Sequence, residues 1–75
     1  MAGERRLAPE VVIFRDREYE RGQQFNYGPS SPLGTSEEVA HAQALREAQY
    51  YRRQTGHACV VRRFQNAYYT YQRRF

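Results

Sequence analysis

Lysine and tryptophan are both absent from this 75-residue chain. All twelve of its cations are arginines. A guanidinium is planar, permanently charged and able to bind carboxylate or phosphate through two parallel hydrogen bonds. An all-arginine complement is equally what a GC-rich coding sequence produces, so the choice of cation does not by itself identify a partner. Cysteine occurs once, at Cys59. That excludes an internal disulfide framework and fits a reducing, intracellular setting. Long apolar stretches are missing: Val11 to Phe14 ends after four residues, far short of a membrane span. Met1 to Glu10 has no apolar core of the kind a secretory signal needs. At this length folding buries only about 60–65% of the unfolded chain's surface, enough for one domain with a small core and not for an enclosed substrate cavity.

What the chain does have is a split in charge. Residues 49–75 hold six arginines and no acid, with the arginines in three doublets: Arg52-Arg53, Arg62-Arg63 and Arg73-Arg74. Tyr50, Tyr51, Tyr68, Tyr69 and Tyr71 lie among them. Residues 1–48 carry six arginines against eight acids, so the formal charge of +4 arises entirely at one end. Such asymmetry points to an anionic partner rather than to a fold.

Local signals give the order strand, strand, helix, strand, strand. Residues 1–9 are polar, end at Pro9 and read as a fraying terminus. Val11 to Phe14 is β-branched or aromatic and reads as a strand that runs on toward Tyr19. Glu20-Arg21-Gly22 reads as a turn, and Gln23 to Tyr27 as a second strand at a sheet edge. Two prolines and two glycines within residues 28–34 make that segment a loop. Thr35 with Glu38 three residues later fits a capping box, which starts a helix that Gly56 stops. Ala44, Leu45, Ala48 and Tyr51 share its expected inner face. Ala58 to Gln65 and Tyr68 to Arg74 read as strands joined at Asn66-Ala67. In that register Phe64, Tyr69, Arg62, Tyr71, Val60 and Arg73 share one sheet face. Cys59, Val61, Arg63, Gln65, Tyr68, Thr70, Gln72 and Arg74 share the other. The simplest packing is an α+β domain over residues 1–75, an antiparallel sheet of three to four strands with one helix across one face and the other face open to water. The pattern leaves undecided which face the helix covers. An exposed edge at Gln23 to Tyr27 or Tyr68 to Arg74 would allow pairing with a second copy.

The search for chemistry is short. His41, His57 and Cys59 are the only soft ligands, and a structural zinc site needs four. Cys59 lacks an orienting acid and an oxyanion hole, and reads as a small half-buried hydrophobe. Glu37-Glu38 suits a helix start. Gly22, Gly28 and Gly34 form no phosphate loop. No cofactor and no enzymatic activity is expected. The arginine–tyrosine hairpin is the remaining candidate, with Arg52, Arg53, Arg62, Arg63, Tyr69, Tyr71, Arg73 and Arg74 as contact residues. Guanidinium suits phosphate and tyrosine rings stack on unpaired bases. The same residues also suit an acidic protein surface, or a solvated sheet face with arginines lying over tyrosines. Arg52 and Arg53 fit equally a helix C-terminus that they complement electrostatically.

The segments Ser36 to Ala48, Thr55 to Arg63 and Tyr68 to Arg73 together resemble small phage and mobile-element proteins. In these an alanine-rich helix leads into a Val-Val-Arg strand and then an aromatic strand, a layout found in some anti-CRISPR proteins. The resemblance covers roughly residues 35–74 and carries over no functional residue by motif. It implies a stoichiometric inhibitor in the cytoplasm of a bacterial host. Such a protein would dock on a CRISPR effector nucleoprotein complex and block target nucleic-acid binding. The alternative is a small protein that binds DNA or RNA directly through the same face.

Overall fold

The computed structural model describes residues 8–74. Four antiparallel strands and one helix follow in the expected order: β1 (Val11–Phe14), β2 (Arg17–Asn26), a single 3-10 turn at Gly28–Ser30, α1 (Glu37–Thr55), β3 (Cys59–Phe64) and β4 (Ala67–Arg73). The sheet order is β1-β2-β4-β3, and the chain is an α+β fold.

The first hairpin turns at Arg15-Asp16, not at Glu20-Arg21-Gly22. Both turn residues have positive φ, 53° and 64°, the conformation a two-residue hairpin loop favours. β2 therefore runs on through Gly22, where its register against β4 shifts between Arg21 and Gln24. The glycine supplies space, not a turn. A Cβ built there would lie 2.4 Å from Gln72 Oε1 and 2.7 Å from Thr70 Oγ1. Thr70 Oγ1 in turn accepts the Gln23 N–H at 2.9 Å, satisfying a donor beside the irregularity.

The second hairpin turns at Gln65-Asn66, one residue earlier than expected, so Arg62 pairs with Tyr69 and Val60 with Tyr71. This moves the register by two residues. Because side chains alternate with period two, a two-residue shift leaves both face assignments intact.

The helix begins one residue later than the capping box implied. Ser36, not Thr35, is the N-cap, its hydroxyl accepting the Val39 N–H at 3.2 Å. Thr35 Oγ1 instead accepts a hydrogen bond from the Ser31 hydroxyl. Gly56 ends the helix at φ 76°, the left-handed conformation glycine adopts without strain. The buried stripe is Ala40, Ala44 and Ala48. Leu45 was expected on this stripe and is exposed, because it sits ~100° around the helix from Ala44. A one-methyl stripe lets the helix approach the sheet closely. What it meets is correspondingly small: Cys59 and Thr70, both buried, and the bare backbone of Gly22.

The helix covers the Cys59, Val61, Arg63, Tyr68, Thr70 and Gln72 face. Contacts at its N-terminus establish this: Arg63 and Tyr68 both bond Glu37, and His41 stacks on Tyr68 with centroids 4.7 Å apart. The opposite face is not open to water as expected. The sheet curls, so that Phe14 and Arg62, on the two edge strands, come together with the guanidinium carbon 5.2 Å from the ring centre. Within the curl Tyr71 has no exposed surface and Tyr19 only 5%. Ala8 and Pro9 fold over them instead of fraying. Ala8 is buried, its carbonyl accepts from the Arg21 guanidinium at 2.6 Å, and the Pro9 carbonyl accepts from Tyr71 Oη at 2.6 Å. The remainder of the terminus expected to fray, residues 1–7, lies outside the described residues.

The strand order also corrects the edges. β4 has β2 on one side and β3 on the other, so Tyr68 to Arg74 is no edge. β1 pairs with β2 only from Arg17 to Glu20, which leaves residues 22–26 of β2 without a strand on that side among the described residues. No helix among the described residues is long and apolar enough to cross a membrane.

Candidate functional site: the curled arginine–aromatic face

The expected contact residues do not form one surface. Neighbouring side chains in a strand point to opposite faces, so an arginine doublet within a strand must split. Arg62 takes the curled face and Arg63 the helix side. Arg63 Nη1 lies 3.0 Å from Glu37 Oε2, which also accepts the Tyr68 hydroxyl at 2.8 Å. Those two hydrogen bonds, Tyr68's first, hold the Glu37 carboxyl below its usual range. The same carboxylate raises the Tyr68 phenol and keeps Arg63 still more firmly protonated. Arg74 lies by Glu18, Nε to Oε1 3.9 Å. Arg52 donates to the Cys59 carbonyl at 2.9 Å, a contact between the helix end and β3. Arg53 stands exposed beside it on the last helical turn. Tyr71 is a core residue whose hydroxyl is already engaged, and burial pushes its phenol up. It offers no ring to a partner.

Arg62, Tyr69 and Arg73 remain, and the fold brings them residues from the acidic half of the chain. In β2 the run Arg17-Glu18-Tyr19-Glu20-Arg21 alternates. Register places Tyr19 beside Arg73 and Arg21 beside Tyr71 on the curled face. Arg17, two residues before Tyr19, shares that face, while Glu18 and Glu20 point the other way. The curled face thus carries Arg17, Arg21, Arg62 and Arg73 from strands β2, β3 and β4, and no strand carboxylate. The alternation was present in the sequence. Its meaning depended on knowing that residues 17–21 form one unbroken strand.

Two cross-strand rows organise the more open half of the face: Gln24, Tyr69 and Arg62, then Asn26, Ala67 and Phe64. Phe64 meets Tyr69 edge-on at 6.1 Å, and Gln24 Nε2 donates to Asn26 Oδ1 at 2.7 Å. At the closure of the curl the guanidinium carbons of Arg15 and Arg62 lie 5.1 and 5.2 Å from the centre of the Phe14 ring. Neither is paired with a carboxylate among the described residues.

The helix side offers little for chemistry. Cys59 is buried and its thiol is pushed up by that burial. A cavity of about 120 Å³ beside it is lined by Gly22, Gln23, Glu47, Tyr51, Thr70 and Gln72. Among the described residues no group of three or more His, Cys, Asp or Glu side chains stands close enough to hold a metal ion.

No family model matches the chain, and neither a curated protein nor a solved structure matches it significantly.

Proposed function

We propose that this is a non-enzymatic binding protein that docks through the rim of its curled face on an anionic, nucleic-acid-containing surface. It would act as a stoichiometric inhibitor of the kind the anti-CRISPR resemblance implies, occupying a CRISPR effector complex where target nucleic acid would enter. The observation that carries this reading is the segregation of charge: four strand arginines on one face, with every strand carboxylate on the other. A concentrated positive surface raises the encounter rate with an anionic partner and fixes its orientation.

A second reading, a small protein that binds free DNA or RNA, uses the same residues. Extended binding of single strands relies on a row of exposed rings. Here Tyr71 and Tyr19 lie in the core and Tyr69, Phe64 and Phe14 remain, which favours docking on a complex over coating a free strand. Two measurements made side by side separate the readings. One is fluorescence anisotropy with labelled single- and double-stranded DNA and RNA at low and physiological salt. The other is co-purification with CRISPR effector complexes of a bacterial host. Capture of an effector complex, with weak binding to free nucleic acid, supports the inhibitor. Tight binding to free nucleic acid, with log affinity falling by ~0.7–0.9 per log unit of salt for each phosphate neutralised, supports the second reading. Failure of both removes the anionic-partner assignment.

A further inference from the structure

The curled face holds more than positive charge. Gln24, Tyr69 and Arg62 stand in one row across three strands, spanning two inter-strand spacings or roughly 10 Å. In the next row Ala67 faces Asn26, and the Phe64 ring beyond it meets Tyr69 edge-on. The hydrogen bond between the Gln24 and Asn26 amides uses one donor and one acceptor of the pair. Whichever way the two amides are turned, the pair still presents a donor and an acceptor side by side. That is the complement of a nucleobase edge, and it lies beside an aromatic ring. At the other end of the row the guanidinium carbons of Arg15 and Arg62 both lie over the Phe14 ring, 5.1 and 5.2 Å from its centre. Neither has a carboxylate partner among the described residues, so both charges are available to an anion.

We propose that this face is a subsite for one unpaired nucleotide. The base rests on Tyr69 with its polar edge on the Gln24–Asn26 amides, and the phosphate lies between Arg62 and Arg15. Resting on the docking face proposed above, the inference goes further by naming the ligand as a single-stranded nucleotide, distinct from a duplex or an acidic protein surface. A duplex hides both the base face and the edge that the row is built to meet.

The test uses the full chain with labelled single-stranded homopolymers of each base, a duplex of the same length, and inorganic polyphosphate as a polyanion without bases. The expected result is single strands bound at least tenfold more tightly than duplex or polyphosphate, with a preference among the four bases. Gln24→Ala, at an exposed position, should flatten that preference while leaving salt dependence unchanged. Arg15→Gln should weaken every polyanion and lower the salt slope by about one phosphate. Circular dichroism checks that each variant is folded. Duplex or polyphosphate bound as tightly as single strands, or an unaltered base preference in Gln24→Ala, would overturn the subsite yet leave the docking face standing. Absence of binding to all three at low salt would remove the subsite, and the docking face would fall with it only if effector complexes also fail to co-purify.

Discussion

The phenolic hydroxyl of Tyr71 donates to the backbone carbonyl of Pro9 at 2.6 Å, joining residues 62 positions apart. The bond ties exposed Pro9 down beside buried Ala8 and closes the curl over Tyr71. A domain of this size is stable by only about 4–11 kcal/mol, so each such tie is a sizeable fraction of the total. Tyr71→Phe keeps the ring and removes the bond, leaving a part-buried carbonyl unsatisfied. The expected loss is about 1 kcal/mol, with faster exchange of the Arg21 amide, which donates to the Glu10 carbonyl next to Pro9. Tyr71→Ala should cost about 3–5 kcal/mol. Urea melts and hydrogen exchange measure the two effects, and unchanged exchange at the Arg21 amide in Tyr71→Phe would show that the bond does not hold the segment.

Gly22 is required for its missing Cβ. In Gly22→Ala the Gln72 amide can swing aside, but Thr70 Oγ1 is on a short buried side chain and the Thr70 carbonyl oxygen stands 3.1 Å away. Overpacking of this kind costs about 1–3 kcal/mol. The denaturation midpoint of the variant should fall accordingly, and wild-type stability would mean that the bulge relaxes freely.

Cap position separates two adjacent hydroxyls. Ser36→Ala removes the acceptor for Val39 N–H and should cost ~1 kcal/mol. Thr35→Ala leaves that bond in place and should cost less. The reverse ranking in thermal melts would return the cap to Thr35.

Glu37 makes stability depend on acidity. Its carboxyl is held below the ordinary range in the folded chain, first by Tyr68 and then by Arg63. A depressed folded value adds stability above the unfolded value, about 4.3, and that stability is lost as pH falls through the folded value. Tyr68 has the opposite sign: raised by the Glu37 bond, it adds stability below about pH 10 that is lost on further rise. Melting temperature should hold from neutrality to about pH 5 and then decline. Glu37→Gln should decline less steeply, and parallel curves for the two proteins would refute the linkage.

Charge reversal tests the docking face. Arg17→Glu and Arg73→Glu should each weaken partner binding by tenfold or more, while Arg46→Glu and Arg53→Glu, on the helix, should change it by less than threefold. Equal losses in titrations at physiological salt would move the interface off the curl.

Much of the architecture could be read without coordinates. The order of elements, the Gly56 stop and the two faces of the second hairpin all follow from local periodicity and turn chemistry. The faces survived a turn misplaced by one residue because the resulting two-residue register change keeps parity. The first hairpin was less legible. Arg15-Asp16 has a turn-forming aspartate but lacks the glycine that marks a two-residue hairpin loop, whereas Gly22 has the stronger local signal and instead marks a close approach between strands. A glycine that supplies conformation and one that supplies space look alike in a sequence.

The candidate site was only half visible. Arg62, Tyr69 and Arg73 were found from composition, but Arg17, Arg21, Phe14, Gln24 and Asn26 lie in the half of the chain whose net charge is negative. Strand-face membership, the small-residue stripe of the helix and the excess of arginine at one end follow from the order of residues alone, because they depend on composition and on backbone geometry over a few residues. Which face the helix covers, the curling of the other face around Tyr71 and the meeting of arginines from both halves there emerge only once the chain is packed. Those outcomes depend on sheet order and coiling, which are set by packing between residues distant in the chain.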